Sequence, residues 1–201
     1  MLEYIKVCIQ DSIDTKRRLA EDEALAKKIE QVAEICVNAF RNGSKVMACG
    51  NGGSASDAQH LVGELVGRYK IERDGIPAIA LNSNVAVMTA LGNDYNYDYI
   101  FSKQVKALGS TGDVLFGIST SGNSANIIRA FEQAKKQGIY TVSLTGSKGG
   151  RLKDISDCNI NVPSDDTPRI QEAHILVIHT VCGLVERELY NTGYFEETDN
   201  E

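Results

Sequence analysis

No two cysteines of this chain stand at CxxC spacing, and the five present (Cys8, Cys36, Cys49, Cys158 and Cys182) are an odd number. That argues against a disulfide framework and reads as reduced thiols in a cytoplasm. Runs of Lys and Arg are also missing, and the formal charge is −6. A nucleic-acid partner is therefore not expected, because phosphate backbones are gripped by clustered cations. No apolar stretch approaches the length of a bilayer span, and the N-terminus lacks the order of a signal peptide, so no membrane contact is expected. GxGxxG and GxxxxGK[ST] are both absent, which leaves little support for a dinucleotide or a P-loop nucleotide. Neither a sequence repeat nor a low-complexity tract breaks the 201 residues, and a 42% hydrophobic content is enough to fill one core.

What the chain does have is one design used twice. A short apolar run, Lys45-Val46-Met47-Ala48-Cys49, enters Gly50-Asn51-Gly52-Gly53-Ser54, and a helical pattern follows. Later Val114-Leu115-Phe116-Gly117-Ile118 enters Ser119-Thr120-Ser121-Gly122-Asn123-Ser124, again ahead of a helical pattern. Loops of this kind leave backbone N–H groups unpaired at a helix start, add hydroxyls, and face the positive end of the helix dipole. Tight strand-to-helix turns need Gly, Ser and Asn for geometry alone. Four Ser or Thr in the six residues 119–124 exceed what one cap requires, so the pair of loops points to a phosphorylated small molecule.

Strands and helices alternate from residue 45 onward. Strands are expected near 46–49, 78–81, 114–118, 140–144 and 159–162, with helices near 56–69, 85–92, 97–108, 125–137 and 168–189. This pattern predicts an α/β fold in three layers, a doubly wound, five-stranded parallel sheet whose ligands lie beyond the carboxyl ends of its strands. Two helices precede it. Leu25, Ile29, Val32, Cys36, Ala39 and Phe40 form one stripe that Gly43 ends, while Leu2, Ile5, Ile9 and Ile13 form another. These stripes pack either on the sheet or in a bundle shared between subunits.

His60 and Glu64 stand four apart and share a helical face, able to hold a divalent metal or to act as acid and base. The alternative is an ordinary surface pair, and Glu64 with Arg68 can equally form a helix ion pair. The closing helix carries Arg169, Gln171, Glu172, His174 and His179 among apolar residues. A core role with a backbone partner suits His174 at least as well as a site role. Gln171 and His179 are eight apart, roughly 12 Å along the axis, so they reach one ligand only if their side chains converge or a second subunit completes the site. Asn93-Asp94 either faces the same cleft or simply ends a helix.

Taken together, Cys49-Gly50-Asn51-Gly52-Gly53-Ser54, His60 with Glu64-Leu65, Gly67-Arg68-Tyr69, Gly92-Asn93-Asp94, the string 117–124, Leu144-Thr145-Gly146, and Arg169-Ile170-Gln171-Glu172 with His179 resemble the sugar isomerase (SIS) family. More narrowly they look like its isomerases of seven-carbon sugar phosphates, over about residues 4 to 190. The resemblance implies a flavodoxin-like sheet and a single SIS domain over 1–201. Within it, 1–43 are helices for packing and oligomerisation, 44–190 the phosphosugar-binding core and 191–201 an acidic tail, frayed at 196–201.

It also implies conversion of D-sedoheptulose 7-phosphate to D-glycero-D-manno-heptose 7-phosphate through an enediol, toward lipopolysaccharide or other surface glycans. By likeness, Ser119, Thr120, Ser121 and Ser124 hold the phosphate. Asn51, Gly52, Gly53, Ser54, Glu64, Asn93, Asp94 and Gln171 line the sugar site. Glu64 and His179 are the catalytic base and acid. His60, Glu64, Gln171 and His179 form a zinc site, and the assembly is a cytoplasmic homotetramer. The chain departs from some members in having Pro168 where they have an acidic residue before the Arg. Asp165, Asp166 or neither then orients His179. Relatives also include a silent replication-initiator-binding type, sugar-sensing domains of regulators and isomerases of other phosphosugars. Retention of both Glu64 and His179 favours an enzyme.

Overall fold

The computed structural model describes residues 1–195; the acidic stretch 196–201 lies outside the described residues. The chain folds as α1 (Leu2–Glu21), α2 (Glu23–Arg41), β1 (Val46–Gly50), α3 (Gly53–Val66), β2 (Ala78–Ala80) and α4 (Val85–Asp94). A 3-10 turn (Tyr97–Tyr99), α5 (Ile100–Leu108), β3 (Val114–Ser119), α6 (Ala125–Lys136), β4 (Tyr140–Thr145), α7 (Gly150–Ile155), β5 (Cys158–Asn161) and α8 (Thr167–Asn191) complete it. The five strands form one sheet in the order β2-β1-β3-β4-β5, all parallel. That is the flavodoxin-like order, and its switch point falls between β1 and β3, the two strands that feed the Gly/Ser loops.

Both faces of the sheet are covered, so every residue of β1 and β3 is buried. Val46, Ala48, Val114, Phe116 and Val142 pack beneath α2, α3 and α8, while Met47, Cys49 and Leu115 pack beneath α5 and α6. Alternate residues of one strand thus enter opposite layers, as the period of two requires. The short α7 is absent from the sequence expectation: six residues are too few to show a helical period.

The two opening helices behave differently. In α2 the expected stripe, from Leu25 to Phe40, is buried; Asp22 accepts the Leu25 N–H at 2.9 Å to cap its start, and Gly43 at φ +71° ends it. In α1 the single buried residue is Thr15, while Leu2, Tyr4, Ile5, Ile9 and Ile13 stay exposed. The sheet therefore takes the first stripe and leaves the second uncovered among the described residues.

His174, on α8, is fully buried, as a core histidine should be. Burial lowers its pKa to about 4, the adjacent Thr145 backbone opposing the shift, and its ring nitrogens otherwise lack hydrogen-bond partners. The folded state thus holds this imidazole neutral, so stability present above the ordinary pKa of about 6.5 is lost as pH falls toward 4. The loss is roughly 3 kcal/mol. Urea unfolding followed from neutral pH down to about 4 should show a steep acid limb that His174→Leu flattens; equal slopes in the two proteins would contradict this account.

Candidate active site at the α3–α8 seam

Helices α3 and α8 each follow a parallel strand, pack on the same face of the sheet and run in the same direction. Three contacts set their registry. A Cβ on Gly53 would fall 2.4 Å from the Gln171 amide nitrogen, so the glycine makes room for that side chain. Two turns on, His60 Nε2 and His179 Nε2 are 3.0 Å apart. Beyond the end of α3, the Tyr69 ring lies against Gly183 and stacks on His179, with ring centroids 5.7 Å apart.

His60, Glu64 and His179 meet in this seam. Glu64 Oε1 is 2.9 Å from His60 Nε2 and 3.9 Å from His179 Nε2. The three ligand-type atoms lie within 4.8 Å of one another, and each residue is partly open to solvent. Zinc–ligand bonds of about 2.0 Å in tetrahedral geometry separate ligand atoms by about 3.3 Å, a value these separations bracket. Two imidazole nitrogens facing each other at such range also need a proton or a cation between them. The donor set therefore fits a divalent ion. All three come from one chain, so the span along α8 does not require a second subunit for them. Gln171, expected as a fourth ligand, lies against Gly53 at the loop end of the seam.

One turn before His60, Asp57 is a residue that the sequence reading passed over. Burial pushes its carboxyl up to about 6 against the opposing effect of His60, and Oδ2 has no hydrogen-bond partner. Arg68 pairs with Glu72 at 3.2 Å rather than with Glu64. Within the described chain neither Asp165 nor Asp166 is a hydrogen-bond partner of His179. Asp165 accepts from Ser147, and the rings against His179 are His60 and Tyr69.

The two Gly/Ser loops lie side by side at the carboxyl edge. Asn51 and the buried Asn126 form a reciprocal amide pair, Nδ2 of each donating to Oδ1 of the other at 3.0 and 2.9 Å, and Tyr97 Oη also donates to Asn51 Oδ1 at 3.0 Å. Gly52, at φ +57°, and Gly53 are exposed at the start of α3, and Ser54 is buried beneath them. In the second loop Gly122, at φ +67°, approaches Gly149 so closely that a Cβ would lie 1.9 Å from the Gly149 carbonyl oxygen.

The hydroxyls expected to act alike divide into two sets. Ser119 is buried, its Oγ paired with Ser124 Oγ at 2.9 Å and accepting the Gly122 N–H, so it shapes the loop. Thr120 and Ser121 line a cleft of about 310 Å³ together with Asn123, Ser147, Lys148 and Thr167. Asn93 and Asp94 hydrogen-bond to each other on the exposed end of α4, at 3.0 Å.

The SIS domain family model matches residues 10–146. A phosphoheptose isomerase of Sulfurimonas denitrificans is 50% identical over 193 residues, covering 96% of this chain and 99% of its own length. Solved structures of phosphoheptose isomerases from Neisseria gonorrhoeae and Francisella tularensis superpose with TM-scores of 0.87 and 0.89 at 42% and 41% identity, each covering 92% of this chain and 98% of the other. The chain belongs to the phosphoheptose isomerase family. In this isomerase the amide pair is the element least visible in the sequence, since Asn126 reads there as an ordinary polar residue of a helix's first turn.

Removing Asn126 strands a partly buried amide on Asn51. Asn126→Ala should lower unfolding stability by about 1–3 kcal/mol and reduce turnover of the sugar phosphate, whereas Tyr97→Phe, which deletes one exposed bond, should cost less on both measures. Urea unfolding and steady-state kinetics on the two variants decide it, and an equal or larger effect from Tyr97→Phe would refute the ranking.

Proposed function

We propose that this isomerase interconverts D-sedoheptulose 7-phosphate and D-glycero-D-manno-heptose 7-phosphate, supplying heptose for lipopolysaccharide or other surface glycans. The observation that carries the reading is the convergence of His60, Glu64 and His179 along a seam whose upper end opens on two anion-type loops. A sugar phosphate has its phosphate at one end and its carbonyl at the other, and the site has the same polarity. Thr120, Ser121 and Lys148 suit the phosphate, with Ser119 and Ser124 holding the loop around it. Asn51, Gly52, Gly53 and Gln171 suit the hydroxyls between. We extend the reading to Asn93 and Asp94 as sugar contacts supplied at a subunit boundary.

Moving the carbonyl from C2 to C1 takes a proton from C1, passes through an enediol and returns a proton to C2, while a second group moves protons between the two oxygens. Glu64 is our base at carbon. Its Oε1 is the atom engaged with both imidazoles, which leaves Oε2 to take the proton. His179 is our acid and base at oxygen. His60, Glu64 and His179, with Gln171 nearby, would hold a zinc ion, which when bound polarises the carbonyl and stabilises developing negative charge on oxygen.

A homotetramer is part of the proposal. The exposed stripe of Leu2, Ile5, Ile9 and Ile13 lies along one helix rather than scattered singly, and it suits a helix bundle between subunits. No helix among the described residues is long and apolar enough to cross a membrane, and the five free cysteines, four of them buried, suit the reducing cytoplasm in which we place the enzyme. We further read 1–201 as one domain, with 1–43 for assembly and 44–190 for the sugar.

Incubation with D-sedoheptulose 7-phosphate, followed by product analysis, tests the reaction directly. Glu64→Gln and His179→Ala should each lower kcat by about 10²–10⁴-fold with circular dichroism unchanged; near wild-type turnover in either variant would remove its assigned role. Ser121→Ala should raise KM for the phosphorylated sugar, and inorganic phosphate should compete with it. Elemental analysis of protein purified without chelator should return zinc. Full activity after exhaustive chelation, with no metal in the untreated protein, would leave Glu64 and His179 as plain acid–base groups.

A further inference from the structure

Seven residues beyond His179 on the same face of α8 stands Glu186, buried and not itself among the groups the reaction uses. Its carboxylate accepts the backbone N–H of Tyr69 at 2.9 Å, of Lys70 at 2.8 Å and of Ile71 at 3.0 Å, and the Nε–H of Arg73 at 3.0 Å. The Glu186 and Arg73 side chains are 2% and 1% exposed. The Arg73 guanidinium is equally engaged. Nη1 donates to the carbonyls of Leu65, Gly67 and Asp74, and Nη2 donates at 2.8 Å to the carbonyl of Glu64 itself.

An isolated buried ion pair seldom repays its desolvation, but here the donors and the carboxylate oxygens are matched, and what they bind is one loop. Burial raises the Glu186 pKa, yet the three N–H groups and Arg73 outweigh it and keep the group below the usual carboxylate range. The loop it fixes, 67–75, carries Tyr69, whose ring lies at 27° to the His179 ring. Gly183, between His179 and Glu186 on α8, leaves the ring its place: a Cβ there would meet Tyr69 Cε1 at 3.1 Å and force the ring to shift by a few tenths of an ångström. From the far side, Arg73 holds the backbone of the turn that carries Glu64.

We propose that Glu186 is a positioning residue of the isomerase. Through the 67–75 backbone and Arg73 it seats Tyr69 on His179, and so fixes the His179 imidazole and the Glu64 turn in the geometry that proton transfer needs. The roles of His179 and Glu64 rest on the function proposed above, but the seating of the ring does not.

The chain has three histidines, so selective ¹³Cε1-histidine labelling yields three assignable signals for His60, His174 and His179. Stacked on Tyr69, the His179 signal should lie upfield, and Tyr69→Leu should move it downfield and assign it. Glu186→Gln keeps the shape but loses the acceptor capacity for four donors. It should move the His179 signal the same way, leave His174 in place, and lower kcat by about 10- to 100-fold with little change in KM. Glu186→Asp should recover part of both. Gly183→Ala, which displaces the ring without touching the ion pair, should reproduce the signal shift and the kcat loss, and it decides the matter if Glu186→Gln does not fold. A Glu186→Gln protein that is merely less stable, with the His179 signal and kcat unmoved, overturns the proposal, as does a silent Gly183→Ala. Should the wild-type chain not turn over sedoheptulose 7-phosphate at all, the proposed reaction fails, and the His179 signals still test the seating.

Discussion

Every strand of the sheet is parallel, so helices that follow a strand and return over the same face must run parallel to each other. Helices α3 and α8 are such a pair. Seven residues separate Gly53 from His60 and eight separate Gln171 from His179, in both cases about two turns, so contacts at the upper end repeat on the same stripe lower down. The repeat brings a histidine of each helix nose to nose at 3.0 Å. Closeness is set by glycine: Gly53 admits Gln171 and Gly183 admits Tyr69. A larger residue at Gly53 would make the Gln171 amide move aside, and one at Gly183 would make the Tyr69 ring give by a few tenths of an ångström. The chemistry of the seam thus depends on a constraint of the sheet.

Much of this frame is legible in the sequence because its signals are local. The buried stripe of α2, the strands at 46–49 and 114–118 and the His60–Glu64 spacing each fit within one element and follow its period. The features missed are those whose partners stand far apart. Asn126 binds Asn51 across 75 positions, and Glu186 binds Arg73 across 113. Nothing in either neighbourhood separates such residues from solvated polar ones. The hydroxyls of 119–124 show the same limit within a single loop. Composition marks the loop as anion-binding, but which hydroxyls turn inward depends on how Gly122 meets Gly149 across the sheet edge. For α1 the stripe was readable, but among the described residues nothing covers it.

The proposed reaction requires a protein of net charge −6 to hold an anion. We assign this to uncapped helix starts rather than massed cations. Ser124 stands at the N-cap of α6 but spends its hydroxyl on Ser119, and neither Gly52 before α3 nor Asp166 before α8 caps its helix through a side chain. Three helix N-termini, each carrying unpaired N–H groups and about half a positive charge, therefore lie at one edge of the sheet. Lys148 is the cation lining the cleft and the Asp165 carboxylate lines it too, so the helix starts rather than side-chain charge supply the positive field. A field built from fixed backbone dipoles is short-ranged, so it suits a small phosphate at one place without turning the surface basic. A side chain that capped one of these helix starts would compete with the substrate for the same N–H groups, and although Ser and Asn are plentiful in the loops, none of the three N-cap residues makes such a bond.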